Sequence, residues 1–258
     1  MGPRARSVLA VLLVGVVVAC ETVPYTGRTQ IMLLPETAEW QMGLDSYQQI
    51  LQKARLSRDP AQTEQVRRVG LRIAQATGRS DYRWEFNVID DKQANAFCLP
   101  GGKVAVYTGI LPITRDDAGL AAVLGHEAAH AIARHGGERV SQTLLVQTGL
   151  VATQAALARR DPRTVQTVTA LLGAGVTVGL LLPWSRGQES EADHLGLIYM
   201  ARAGYHPSAA RDLWVRMAGA ARGRARPPEF LSTHPAEPTR IRQIEAWMPE
   251  ALRYYQPR

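Results

Sequence analysis

The stretch that most constrains this chain is His126-Glu127-Ala128-Ala129-His130. It lies in a run, residues 116–137, whose apolar positions recur at helical spacing: Leu120, Val123, Leu124, Ala128, Ala131 and Ile132. Thr114 is the expected N-cap, with Asp117 three residues on in a weak capping box, and Gly136-Gly137 the expected stop. On such a helix His126 and His130 lie one turn apart on one face. Two imidazoles so placed take two corners of a tetrahedral zinc site. Glu127 projects about 100° round from His126, where it reaches the water that the metal activates without being a ligand. A structural zinc has no use for such a base.

A third ligand is expected from residues 185–196. Pro183 favours a helix start just upstream, and on that helix Glu189 and Asp193 share a face. Glu191 points about 200° away from Glu189, so both cannot face one metal. Glu189 is therefore the expected ligand, and Asp193 the group that holds the free ring nitrogen of a zinc histidine. His234 is followed by Pro235, which keeps it extended and out of helical packing. Three readings stay open for it: a gate on the metal's open position, a ligand of the tetrahedral intermediate, or a local cap. Arg240 is either an oxyanion stabiliser or a structural cation.

These residues, together with Asn95-Ala96-Phe97, Pro100-Gly101-Gly102-Lys103-Val104 and Ser232-Thr233-His234-Pro235, resemble the HtpX and CAAX-prenyl-protease family of zinc metallopeptidases. The nearest likeness is to its BepA-like periplasmic lipoprotein branch, over about residues 40 to 250. The resemblance implies a gluzincin fold: α+β, mostly helical, with a small sheet on the active-site helix. It implies one zinc ion per chain, held by His126, His130 and Glu189, with Glu127 as base. It also implies His234 as the gate, and quality control of unfolded or misassembled cell-envelope proteins as the task. The rival reading is a non-proteolytic zinc scaffold or chaperone at the membrane.

The amino terminus sets an expected location. Arg4 and Arg6 precede an apolar run that ends Val17-Val18-Ala19-Cys20, too short to span and flanked like a signal peptide. Residues 1–19 are read as a lipoprotein signal, Cys20 as the lipidated residue, 20–38 as a tether and 39–258 as the peptidase domain. Glu21 then resembles an outer-membrane sorting signal. That places a lipid-anchored protein on a bacterial outer membrane, facing the periplasm. The other cysteine, Cys98, is expected to be buried and inert.

The net charge of +7 is nearly all arginine, since lysine occurs only at 53, 92 and 103. No basic stripe interleaves with aromatics, so nucleic acid is not an expected partner. Polypeptide substrates are; the sequence gives no oligomeric state. Further helices are expected at 36–56, 60–76 (Val66, Val69, Leu71 and Ile73 inward) and 138–158, another opening at Tyr205–Ser208, and a last one at 239–248. Strands are expected at 84–89 and 103–108, the latter offered to an extended substrate, with 95–102 turning the chain between them. Residues 164–185 carry no charge and are expected as helices packed beside the zinc helix or as an apolar flap against membrane or substrate.

Overall fold

The computed structural model describes residues 20–176, 182–221, 228–235 and 238–257. The expected signal peptide and most of the basic loop at 222–228 lie outside them. The chain divides into two compact units, Met1–Glu36 with Arg134–Gln188, and Thr37–Ala133 with Glu189–Arg258.

In the first unit the expected tether is a hairpin. β1 (Cys20–Thr22) pairs antiparallel with β2 (Thr29–Ile31). Arg28 donates to both carboxylate oxygens of Glu138 at 2.8 and 2.9 Å, and Gln188 donates to the same group at 2.7 Å. Glu138 is fully buried, so these bonds meet the desolvation cost of its charge. Leu33 N donates to Ser141 Oγ at 2.9 Å, and Arg134 to Leu34 O at 2.9 Å. Three-residue strands carry no alternation to read, so the sequence hides this hairpin. Two helices follow in this unit, His135–Ala156 and Pro162–Val176.

The second unit is built on one helix. α1 (Glu36–Lys53) and α2 (Pro60–Thr77) precede the sheet. Asp59 caps α2 by accepting from Ala61 N at 2.8 Å, Pro60 starts it, and Gly78 ends it at φ 74°. The inward face of α2 is Val66, Val69, Gly70, Ile73, Ala74 and Thr77. Leu71, expected inside, is 39% exposed because it lies off that stripe.

The sheet is β3 (Glu85–Ile89), β4 (Ala96–Leu99) and β5 (Lys103–Tyr107), in the order β3-β5-β4. β3 runs parallel to β5 and β4 antiparallel to it. β4 was hidden in the expected turn: it is four residues long and runs straight into Pro100-Gly101-Gly102. β5 is central and both its edges are taken, so the expectation that it pairs with an extended substrate fails. Tyr47 Oη donates to Val104 O at 2.7 Å and accepts from Asn87 Nδ2 at 3.0 Å, tying α1 to the sheet.

After the short α3 (Leu111–Thr114) comes α4 (Asp117–Ile132). Asp116, not Thr114, is its N-cap and accepts from Gly119 N at 2.8 Å. Its end is set by Arg134 at φ 57°, and Gly136-Gly137 lie inside the next helix. Every residue from Gly119 to Ile132 is buried, so α4 is enclosed all round rather than half-exposed. Leu120, Val123 and Leu124 each contribute roughly 1.5–3 kcal/mol by burial.

The remaining elements complete the numbering: α5 (His135–Ala156), α6 (Pro162–Val176), α7 (Leu182–Arg202), α8 (Ser208–Ala221), α9 (Glu229–Thr233) and α10 (Pro238–Leu252). α4 is packed by α2, β4 and α8. Residues 189–202 of α7 cross α4 closely. A Cβ on Gly125 would lie 2.9 Å from Gly196 O, and one on Gly196 would lie 2.9 Å from His126 N. Only two glycines let the backbones of these helices approach this far.

Candidate metal centre

The crossing of α4 and α7 brings the chemistry together. His126 and His130 project from one face of α4, with Nε2 atoms 3.1 Å apart. Glu189 reaches both: Oε1 lies 3.2 Å from His130 Nε2 and Oε2 3.4 Å from His126 Nε2. His234, at the end of α9, adds its Nδ1 at 3.1 Å from His126 Nε2 and 2.8 Å from Glu189 Oε2. All four ligand atoms lie within 4.8 Å of one another. A tetrahedral zinc with bonds near 2.0–2.1 Å spaces its ligand atoms by about 3.3 Å. The observed separations fit that, and the donor set of three imidazoles and one carboxylate suits zinc.

Behind the ligands is a second layer. Asp193 Oδ1 lies 3.0 Å from His126 Nδ1. Arg240 donates to Asp193 Oδ1 at 2.9 Å through one nitrogen and to Oδ2 through another, and to Pro235 O at 3.3 Å. Its guanidinium lies 3.5 Å over the Trp214 ring, and Trp214 packs edge-on against His126. Arg240 is thus engaged by Asp193 rather than presented to a substrate carbonyl. Nη2, the nitrogen that donates to Asp193 Oδ1, also lies 3.2 Å from Glu189 Oε2. Phe230, fully buried, tilts against the His234 ring at 4.6 Å between centroids. Its N–H donates to Ala94 O at 3.0 Å, which fixes α9 beside the run into β4.

Burial is the largest influence on His126 and presses its pKa down, as does Arg240, but hydrogen bonds to Asp193 and Glu189 outweigh both and lift it to about 9. Burial raises Glu189 and Asp193, yet the histidines hold Glu189 well below the usual carboxylate range, and Arg240 with His126 holds Asp193 low. Glu127 is raised by burial against the pull of His234 and His126. Its Oε1 is buried, lies 3.4 Å from His234 Nε2, and accepts no hydrogen bond among the described residues.

The structure therefore brings together His126, Glu127, His130, Glu189, Asp193, His234 and Arg240. Glu191 is on the same helix but outside the ligand cluster. Cys20 is exposed and in the other unit, and Cys98 is buried with its thiol pushed up by burial. Trp214 and Phe230 read from the sequence as no more than core. Their role as walls of the site shows only when α8 and α9 are folded against α4. The Gly125–Gly196 crossing had a sequence signal, a glycine directly before His126 and another seven residues after Glu189.

The mostly helical fold, the small sheet and this ligand cluster define a zinc metallopeptidase of gluzincin type. The chain belongs to peptidase family M48, whose family model matches residues 60–248. It is 41% identical over 234 residues to the mitochondrial metalloendopeptidase OMA1 of Schizosaccharomyces pombe, covering 90% of this chain and 67% of that one. It is 40% identical over 181 residues to the OMA1 of Saccharomyces cerevisiae, covering 67% of this chain and 50% of the relative. The beta-barrel assembly-enhancing protease of Escherichia coli is 26% identical over 227 residues, covering 86% of this chain and 46% of the relative. The chain thus spans between about half and two thirds of these relatives.

These relatives correct the expected location. Those at 39–41% identity are named as mitochondrial proteins, whereas the bacterial protease matches at 26%. A lipid-anchored protein on a bacterial outer membrane is accordingly withdrawn. The expectation rested on a short apolar run and a cysteine, and such runs recur in leaders of several kinds.

Proposed function

We propose that this chain is an endopeptidase that cuts unfolded or misassembled polypeptides, with Glu127 as general base and acid. The observation that carries the reading is the buried carboxylate oxygen of Glu127, without a hydrogen-bond donor, beside four convergent metal-ligand atoms. A lone pair so placed is poised to take a proton, and a structural zinc site gives no reason to bury it. His126, His130 and Glu189 hold the metal. Zinc, when bound, polarises the scissile carbonyl and acidifies water. Glu127 takes the proton of the attacking water and passes it to the leaving amine. Its raised pKa suits a group that must both accept and return a proton.

Extended substrate adds to the outer edge of β4, to which no strand pairs among the described residues. β4 packs on α4, and the run into it bonds to α9, so this edge borders the site. A preference for extended chain means a preference for unfolded or mobile segments. The name of the Escherichia coli relative, which links it to β-barrel assembly, supports a quality-control task.

His234 is the gate. Its Nδ1 stands in the ligand cluster, where a fourth protein ligand would keep water from the metal. Digestion of casein tests the whole reading. Glu127→Gln should lower turnover by at least about 100-fold with zinc content unchanged. His234→Ala should raise basal cleavage or broaden its selectivity. Undiminished cleavage by Glu127→Gln overturns the mechanism; lowered turnover in His234→Ala with zinc retained makes His234 a ligand of the intermediate instead.

A further inference from the structure

We propose that the α5–α6 hairpin docks on the surface of an anionic lipid bilayer, lying in its interface. Within the first unit, burial along α5 stops abruptly. His135, Gly137, Glu138, Ser141 and Gln142 are buried, and from Thr143 to the last described side chain of α6 none is. Half-buried Val146, Leu150 and Thr153 on α5, Leu157 just past its end, and Val165, Val168 and Thr169 on α6 mark the seam between the two helices. The outer face of α5 is open and largely apolar. Val140, Leu144 and Val151 recur on one stripe of α5, with Val151 63% exposed. On α6, Leu171 is 68% exposed, and Leu172, further along the seam stripe, is exposed as well. A bare aliphatic stripe with exposed leucines on the adjacent helix needs a cover.

Two observations select a bilayer. First, the hairpin carries no charged residue from Val140 to Ala158 or from Thr164 to Val176, while its tip holds Arg159, Arg160 and Arg163, all exposed. The lone acid there, Asp161, is occupied as a cap, accepting from Arg163 N at 2.9 Å and Thr164 N at 3.2 Å. Arginines beside an apolar face match phosphate headgroups above acyl chains.

Second, four threonines of the hairpin are satisfied within their own helices. Thr143, Thr148, Thr153 and Thr169 each donate to the carbonyl four residues back at 2.8 Å. Their hydroxyl donors ask nothing of the surroundings, which suits a helix entering hydrocarbon. Among the described residues no helix is long and apolar enough to cross a membrane, so the hairpin lies in the interface instead.

The test reads the hairpin itself. An environment-sensitive fluorophore is placed at Val151→Cys, at Leu171→Cys or, as a reference on the exposed face of α2, at Arg67→Cys. Each variant is made in the full chain carrying Cys20→Ser, whose remaining thiol, Cys98, is buried. Because the probe reports its own surroundings, attachment through residues 1–19 does not register. With vesicles of phosphatidylcholine and phosphatidylglycerol, emission at 151 and 171 should shift to the blue and be quenched by quencher-bearing lipid. The reference at 67 should not respond. Phosphatidylcholine alone should give little response, and Arg159→Glu with Arg160→Glu should weaken binding on the order of tenfold or more. Probes at 151 and 171 that stay in water with anionic vesicles overturn the proposal. So does a lipid-free blue shift that grows with protein concentration, which assigns the face to a second copy. A shift seen only with unfolded polypeptide assigns it to substrate and overturns the proposal equally.

Discussion

Glu189 and Glu191 are two positions apart on α7, roughly 200° around its axis, and only Glu189 enters the ligand cluster. Glu189→Ala should therefore strip zinc from the protein while Glu191→Ala retains it, as metal analysis of the purified variants will show. The reverse result would shift the register of α7 by two residues. Arg240 calls for a different measurement. It holds Asp193, Pro235 and Trp214 and lies 3.2 Å from both Glu189 Oε2 and His126 Nδ1, so it fixes the carboxylate behind His126 and the turn that follows His234. Lysine keeps the charge but not the forked geometry. Arg240→Lys should weaken zinc binding by about 10–100-fold in a chelator competition, the range for groups that orient a metal histidine. If turnover instead falls at full zinc occupancy with affinity unchanged, Arg240 acts on the substrate carbonyl.

At the scale of elements, the site depends on how closely two helices cross. Gly196→Ala would put a methyl group 2.9 Å from His126 N, against backbone that cannot turn aside. The helices must separate, which should cost about 1–3 kcal/mol of stability and loosen zinc, measurable as a lower denaturant midpoint and a faster loss of metal to chelator. An unchanged midpoint with full metal retention would mean the crossing is not tight. This crossing also shows what the sequence could and could not reveal. The cluster was legible because His126 with His130, and Glu189 with Asp193, each lie four residues apart on one helix, where helical geometry alone fixes the face. The caps and strands were less so. Asp116 displaced Thr114 as cap because α3 ends at Thr114 and leaves only Arg115 before it. β4 escaped because four residues beside Pro100-Gly101-Gly102 look like turn, and what makes them a strand is pairing with β5. The walls made by Trp214 and Phe230, and the central place of β5, are long-range facts that no local pattern carries.

At the scale of the whole molecule, every member of the candidate metal cluster belongs to the second unit, and the α5–α6 hairpin belongs to the first. Metal removal should therefore act unevenly. Zinc bound to the native state adds stability in proportion to RT times the logarithm of its excess over Kd, about 4 kcal/mol at a thousandfold excess. Without it, the cluster leaves His126, which burial disfavours as a cation, with a raised affinity for protons from Asp193 and Glu189, so part of the charge the metal supplied is replaced by protonation. That replacement does not link α4, α7 and α9 through one point as the metal does. On chelation, hydrogen exchange should quicken in α4, in residues 189–202 of α7 and in α9, while residues 143–176 exchange as before. Zinc restored in excess should reverse the change. Uniform loss of protection across both units would mean that the metal stabilises the chain as one cooperative body, and that the division at residues 133 and 188 has no energetic counterpart.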